Sequence, residues 1–438
     1  MSWLFAGVVL VCSIGFAKLS VSTLNWWFAR RMTKRIVVAS HAANIGLILG
    51  YPLLLTIGPG SSHCRQWIDG HAGSIPFPSW LLLAVGAVGC CLLIAATFEY
   101  QFYAPPACQV GCKTTRVDLR QRGGTLWRET LVGPGPMRRI SLLPGNEQFT
   151  IEVSTKSYSL PRLPDAWDGL SLVQLSDLHF RGAVSRAYFE AVCEEAAALK
   201  PDLFVFTGDL LDDMSLLEWL PTTLGKLSAP HGQFFILGNH DWYLDAPAIR
   251  RELERLGWTD LAGRCVALTH PTAPPIVLCG DETPWMGTHP DVSRVEHAEL
   301  SVGRALLPVR SSKPTCDSTS TPDGQECPSY GSGADPFRIL LSHTPDNIAW
   351  ARQQQFDLML SGHTHGGQIR LPVFGPVYSP SRAGCRYSAG VFWLDPTLLY
   401  VSRGISGREP IRYNCPPELT KLVLRCPVGT SSNNEPLY

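Results

Sequence analysis

Residues 170–179 read LSLVQLSDLH, an apolar run that closes on an aspartate and a histidine two residues apart. The same pattern recurs four times. LFVFTGDLLD spans 203–212, QFFILGNHD spans 233–241, FRILLSH spans 337–343 and FDLMLSGHTHGG spans 356–367. Each apolar run is short, rich in Leu, Val, Ile and Phe, and reads as a buried strand. The runs end on Asp177, His179, Asp209, Asn239, His343, His363 and His365. Oxygen and imidazole donors arriving from five strand ends are what a site for two adjacent divalent cations needs. Strand ends that converge on one sheet edge form the usual ligand crevice of an α/β fold.

Asp177 and His179 stand two apart just past a strand, so an extended backbone points both side chains the same way. The Asp209 carboxylate has two oxygens and can bridge two cations. Asn239 offers a neutral amide oxygen, suited to a site that already holds negative charge. Gly362, Gly366 and Gly367 permit tight turns around His363 and His365. Taken singly, DLH, GNHD or a lone His343 also reads as a turn, a helix cap or a packed histidine. Their joint occurrence at successive strand ends is what carries the reading. Between the runs, Phe189, Val192, Cys193, Ala196 and Leu199 recur at helical spacing behind Ser185. Ile249, Leu253 and Leu256 do so between Asp245 and Gly257. Strand and helix therefore alternate, which places the chain in the α/β class.

The ordered set D-x-H, G-D-x-x-D, G-N-H-D, H and G-H-x-H resembles that of the calcineurin-like metallophosphoesterase superfamily, over about Leu170 to Leu424. The closing SRGISGREPIRYNCPPEL (402–419) is similar to bacterial membrane-anchored or exported members. The resemblance implies a four-layer αββα sandwich and a phosphoester hydrolase. It implies that Asp177, His179, Asp209 and His365 hold one divalent ion and that Asp209, Asn239, His343 and His363 hold the second, with Asp209 bridging. His240 corresponds to a histidine that protonates the leaving oxygen, and Asp212 to the carboxylate that orients it. Asp241 stands where many members carry Glu, at a position that is not a ligand. Two cations would lower the pKa of a bridging water and supply hydroxide for in-line attack. A mixed oxygen and imidazole set accepts Mn, Fe, Zn or Co and does not choose among them.

Ahead of this segment lie three long apolar stretches: Trp3 to about Leu24, Ile36 to Ile57 and Trp80 to about Phe98. Each approaches the roughly 20 apolar residues needed to span a bilayer. Arg30, Arg31, Lys34 and Arg35 fall between the first two, whereas the loop from Gly58 to Ser79 holds only Arg65. The positive-inside rule then places the Arg30 loop, and the region after the third stretch, in the cytoplasm of a plasma or inner membrane. Lys18 makes the first span the weakest, so two or three spans are expected. The chain of 438 residues divides into a membrane anchor (1–105), a linker (106–146), a metallophosphoesterase domain (147–426) and a disordered tail (427–438). A Ser-, Pro- and Gly-rich stretch at about 309–336 reads as a flexible insertion.

Formal net charge is zero, which gives no pull toward nucleic acid. Of the fourteen cysteines, Cys316 and Cys327 are the pair a disulfide would join, and free thiols are the favoured reading. An anchored site favours a phosphorylated lipid or lipid-linked nucleotide diphosphate, with a soluble phosphorylated molecule left open and no protein partner indicated. Arg181 reads as a surface arginine. Arg403, Arg408 and Arg412 read as ion pairs or as a phosphate clamp. The alternative to an enzyme is a non-catalytic protein-binding scaffold on the same fold. Such a scaffold has no need of the full set of ligand residues.

Overall fold

The structure, a computed structural model, describes residues 3–58, 62, 77–271, 273–297 and 335–427. Most of the expected insertion at 309–336, nearly all of the tail and the Cys316–Cys327 pair lie outside the described residues.

Among the described residues, three long helices open the chain: α1 (Trp3–Phe28), α2 (Lys34–Ile57) and α3 (Phe77–Gln101). All three are long and apolar enough to cross a membrane. Helices α1 and α3 cross at Gly15, Gly86 and Gly89. A methyl group on Gly15 would stand 2.0 Å from the Gly86 carbonyl oxygen, so only glycine permits this backbone approach. Helix α2 is tied to its neighbours by polar contacts. Tyr51 Oη donates to the Leu82 carbonyl at 2.6 Å, and Asn44 Nδ2 donates to Ser20 Oγ at 2.7 Å. The outward faces keep large apolar side chains in the open, among them Ile57 and Ile94 at 79% and 69% exposure, which is the surface a bilayer covers.

The remaining described residues are built around two seven-stranded sheets, face to face. The first contains, in spatial order, β1 (Gln109–Asp118), β2 (Thr150–Ser159), β16 (Glu418–Arg425), β3 (Ser171–Leu175), β4 (Leu203–Thr207), β5 (Gln233–Ile236) and β6 (Thr259–Asp260). The second runs β14 (Gly390–Leu394), β15 (Thr397–Val401), β11 (Leu358–Ser361), β10 (Phe337–Ser342), β8 (Ile276–Asp281), β7 (Cys265–Leu268) and β9 (Val295–His297). Alternation along each strand builds the layers. On β4, Leu203 and Val205 face the second sheet and meet Leu278, Ile339 and Leu360 in the central core. Phe204 and Phe206 face the other way, onto Phe189, Val192 and Ala196 of α4 (Arg186–Ala198). The second sheet likewise turns Leu340, Met359 and Leu399 onto Ala351 of a short helix, Ile348–Gln353. Helix, sheet, sheet and helix make the expected four-layer αββα sandwich.

The described chain departs from the linker expectation at 106–146. Residues 109–118 form β1, antiparallel to β2. The strand lies at a sheet edge with most residues exposed, so its sequence has no apolar face to betray it. A second departure concerns the cysteines. Cys265 and Cys279 are direct cross-strand partners on β7 and β8 and form a disulfide, where free thiols were favoured.

One buried charge network locks β2, β15 and β16 together. The Glu418 carboxylate accepts from Lys156 Nζ at 2.7 Å, Tyr400 Oη at 2.8 Å and Arg403 Nε at 3.2 Å. Burial works to raise this carboxyl, but Lys156 and Arg403 hold it well below the usual range. It therefore stays ionised and paired throughout the neutral range.

Candidate dinuclear metal site

The C-terminal ends of β3, β4, β5, β10 and β11 meet at one edge of the sandwich. There the structure brings together all seven residues picked from the sequence. Asp177, His179, Asp209 and His365 place one donor atom each within 4.8 Å of one another, and Asp209, His343 and His363 form a second such group. Asn239 joins the second group, with Oδ1 3.1 Å from His343 Nε2. Asp209 belongs to both. Its Oδ2 lies 3.5 Å from His179 Nε2 and 3.2 Å from His343 Nε2.

The backbone that achieves this is not the extended one expected for Asp177 and His179. Asp177, His179, Asp209, His363 and His365 all have φ between 48° and 69°. Non-glycine residues seldom adopt this left-handed region, and Asp and His do so more readily than branched residues. A run of such residues costs about 1–3 kcal/mol each and persists where the surrounding fold over-determines it. Glycines make the room. A Cβ on Gly362 would stand 1.9 Å from Ser176 Oγ and 2.5 Å from Asp177 Oδ2, and one on Gly238 would stand 2.2 Å from Asp209 Oδ1.

Each imidazole has one nitrogen tied outward and the other turned inward. His343 Nδ1 lies 2.7 Å from the Thr207 carbonyl, His365 Nδ1 3.2 Å from that of Ser406, and His363 Nε2 2.9 Å from that of Pro380. His179 Nδ1 lies 3.1 Å from Asp212 Oδ2. A carbonyl or carboxylate can only accept, so each of these outward nitrogens carries its proton. The inward nitrogens are then the ones that can present lone pairs to a metal, as a metal-ligating histidine requires, and on His179 and His343 a second proton takes that place when no cation does. The inward pairs His179 Nε2 with His365 Nε2, and His343 Nε2 with His363 Nδ1, stand 3.3 and 3.2 Å apart. Two lone pairs at that distance repel unless a cation or proton lies between them. Ions at metal–nitrogen distances of about 2.1 Å suit this spacing. The residues present therefore fit a pair of divalent cations.

Electrostatics agree with a site built for positive charge. Burial works to raise the Asp209 carboxyl, yet His343, His240 and His179 hold it well below the usual range. Burial works to lower His179 and His343, but the carboxylates of Asp212 and Asp209 push both up to about 9. His363, with burial and the charge on His343 both against protonation, falls to about 3.

His240 groups with His179 and Asp212 and stands outside the two sets that share Asp209. Its Nδ1 lies 2.5 Å from Asp212 Oδ1, and the same carboxylate accepts the hydrogen bond of His179 Nδ1. One residue that sequence reasoning underrated is Asp241. It is fully buried and accepts the backbone N–H groups of Asp209, Leu210, Leu211 and Gly238 at 2.9–3.1 Å. It thereby holds two ligand-bearing loops in register. Burial and the Asp209 charge raise its carboxyl to about 6. The C-terminal arginines divide. Arg403 pairs with Glu152 and Glu418. Arg412 is fully buried and donates to the carbonyls of His365, Arg403 and Ser406. Arg181, read as a surface residue, lines the cavity together with Arg408.

That cavity, of about 660 Å³, opens over the cluster and is lined by Asp209, Asn239, His240, His363 and His365. Part of its wall comes from the N-terminal helices, through Phe28, Arg30, Lys34, Val37, Val38 and His41. Tyr243 Oη donates to the Met32 carbonyl at 2.6 Å, Gln101 Nε2 to that of Val373 at 2.6 Å, and Tyr103 Oη to that of Val391 at 2.9 Å. The α1–α2 junction, the end of α3 and the site thus share one side.

Comparison with known proteins agrees with this geometry. Residues 170–367, which contain all seven cluster residues with Asp212 and His240, match the calcineurin-like phosphoesterase family. The chain is 28% identical over 283 residues to the Bacillus subtilis metallophosphoesterase YkuE, covering 64% of this chain and 87% of that one. It is 26% identical over 311 residues to the UDP-2,3-diacylglucosamine pyrophosphatase LpxG of Chlamydia muridarum, covering 64% and 90%. A Danio rerio transmembrane protein with a metallophosphoesterase domain is 28% identical over 270 residues, covering 60% and 55%. With these motifs at these strand ends, residues 170–367 form a calcineurin-like phosphoesterase domain, and the chain is a hydrolase of phosphoester bonds that also carries three helices long and apolar enough to cross a membrane.

Proposed function

We propose that the chain hydrolyses a phosphoester carried by a phospholipid or a lipid-linked nucleotide diphosphate, with Asp177, His179, Asp209, Asn239, His343, His363 and His365 as metal ligands and His240 as the proton donor. The observation that carries this is the single cavity in which the ligand cluster, His240 and the ends of the N-terminal helices meet. LpxG, named as a UDP-2,3-diacylglucosamine pyrophosphatase, supports the lipid-linked substrate.

Two divalent cations, when bound, neutralise phosphoryl oxygens and lower the pKa of water. The side chains do the rest. Water oxygen forms a bond to phosphorus as the bond to the ester oxygen breaks, and that oxygen needs a proton. Asp212 holds Nδ1 of His240 and stabilises the imidazolium, so Nε2 is the nitrogen free to give the proton up. Assay of the purified chain with Mn²⁺ against bis-p-nitrophenyl phosphate and p-nitrophenyl phosphate tests the reading. Metal-dependent turnover of at least one is expected. A protein that binds the ions and turns over neither these esters nor any of the lipids compared below is a scaffold.

We read 1–105 as the anchor and 147–426 as the catalytic domain, with β1 packed onto the latter. By the positive-inside rule, Arg30, Arg31, Lys34 and Arg35 put this side in the cytoplasm. The Cys265–Cys279 disulfide favours the opposite side, since disulfides persist in oxidising compartments. Cys112 is a free, exposed thiol on β1 and decides between them. In intact cells it is expected to resist a membrane-impermeant maleimide until the membrane is opened, with Cys112→Ser as control. Labelling before permeabilisation places the domain outside.

A further inference from the structure

We infer that the membrane anchor is part of the substrate site: Arg30 and Lys34 bind an anionic group of the lipid headgroup, and Phe28, Val37 and Val38 receive the start of its acyl chain. This rests on the phosphohydrolase reading above and extends it to residues outside the matched domain.

The charge in the cavity is unevenly satisfied. Beyond Asp209 and Asp212, its charged lining residues are Arg30, Lys34, Arg181, Arg408 and Glu409. Arg181 and Arg408 both lean on Glu409, at 3.6 and 3.7 Å. Arg30 and Lys34 have no carboxylate within ion-pair distance among the described residues. They rest on aromatic rings instead, Arg30 over Trp26 at 3.5 Å and Lys34 over Tyr243 at 4.9 Å. Lys34 is also the first residue of α2, where the helix dipole already favours an anion over a cation. Two unneutralised cations facing a phosphoryl-binding cluster fit a ligand with negative charge beyond the group being cleaved.

The same wall changes character within one helical turn. From Lys34 it passes to Val37 and Val38, the latter 63% exposed, with Phe28 at the end of α1 beside them. Beside the end of α3, the turn joining β12 (Arg370–Leu371) to β13 (Gly375–Pro376) exposes Leu371, Val373 and Phe374. Apolar lining directly beside a cationic mouth suits a ligand that is anionic at one end and apolar at the other. A free phosphate or a soluble nucleotide would leave Val37 and Val38 unused. A membrane lipid reaches the cluster without leaving the bilayer surface.

The test uses the full chain in phosphatidylcholine vesicles. Phosphatidate, phosphatidylglycerol and CDP-diacylglycerol are each compared with the deacylated counterpart, namely glycerol 3-phosphate, glycerophosphoglycerol and CDP-glycerol. Bis-p-nitrophenyl phosphate serves as reference. At least one acylated member is expected to show the higher kcat/KM of its pair. For that lipid, the ratio of kcat/KM to the reference value is expected to fall about tenfold in Lys34→Ala and in Arg30→Ala, the loss of one charge-assisted contact. Lys34→Arg is expected to keep the ratio. Turnover of the reference with no advantage for any acylated substrate overturns this inference alone. So does a ratio unmoved by both alanine variants, or one that falls equally in Lys34→Arg. Absence of turnover on every compound overturns the phosphohydrolase reading beneath it.

Discussion

His240→Ala is expected to lower kcat by about 10²–10⁴-fold, the usual contribution of a positioned general acid, while both ions stay bound. The His240 imidazole reaches Asp212 at 2.5 Å and lines the cavity, and its donor atom groups with His179 and Asp212 rather than with the two sets that share Asp209. Removing it takes away the proton for the departing oxygen and leaves every inward-facing lone pair in place. The loss should depend on the leaving group. An alkoxide needs the proton most and p-nitrophenolate needs it least, so the variant should be hurt more on an alkyl ester than on a p-nitrophenyl ester. Equal loss on both, with full metal content, removes the general-acid role. Loss of metal in the variant makes His240 a ligand. Asp212→Asn should reproduce part of the defect, because it keeps the shape and removes the charge that stabilises the imidazolium.

Asp209→Asn is expected to empty both metal positions and to lower kcat on the order of 10³-fold or more. The ions contribute several kcal/mol of charge stabilisation, and each step of about 1.4 kcal/mol is tenfold in rate. The Asp209 carboxylate is buried between His179 and His343. Its other oxygen, Oδ1, accepts the His240 backbone N–H at 2.8 Å. An amide in its place offers one oxygen and turns an N–H₂ group toward lone pairs that also need positive charge. Asp241 binds the backbone N–H of Asp209 rather than its side chain, so the loop itself should hold. Elemental analysis checks this, and a variant that keeps both ions refutes the bridging role.

Much of this site was legible because it is local. The apolar runs before Asp177, Asp209, Asn239, His343 and His363 are strands that must be buried on both faces, and their last residues necessarily share an edge. What lay hidden is tertiary. The 109–118 stretch is polar and exposed because an edge strand needs no apolar face, so it read as a linker. Cys265 and Cys279 carry no spacing signal, and only the register of β7 on β8 pairs them. The left-handed backbone at Asp177 and His179 is dictated by the loops around them and leaves no trace in a two-residue motif. Arg30 and Lys34 read as topology signals. Their place in the cavity depends on how α1 and α2 dock beside Tyr243.

The most direct measurement is the metal content of the full chain, purified in detergent and saturated with Mn²⁺ or Zn²⁺. Two ions per chain are expected by elemental analysis, with distances to seven protein ligands in a crystal or cryo-electron microscopy structure. One ion or none at saturation contradicts the dinuclear site, and with it the hydrolytic chemistry assigned to these strand ends.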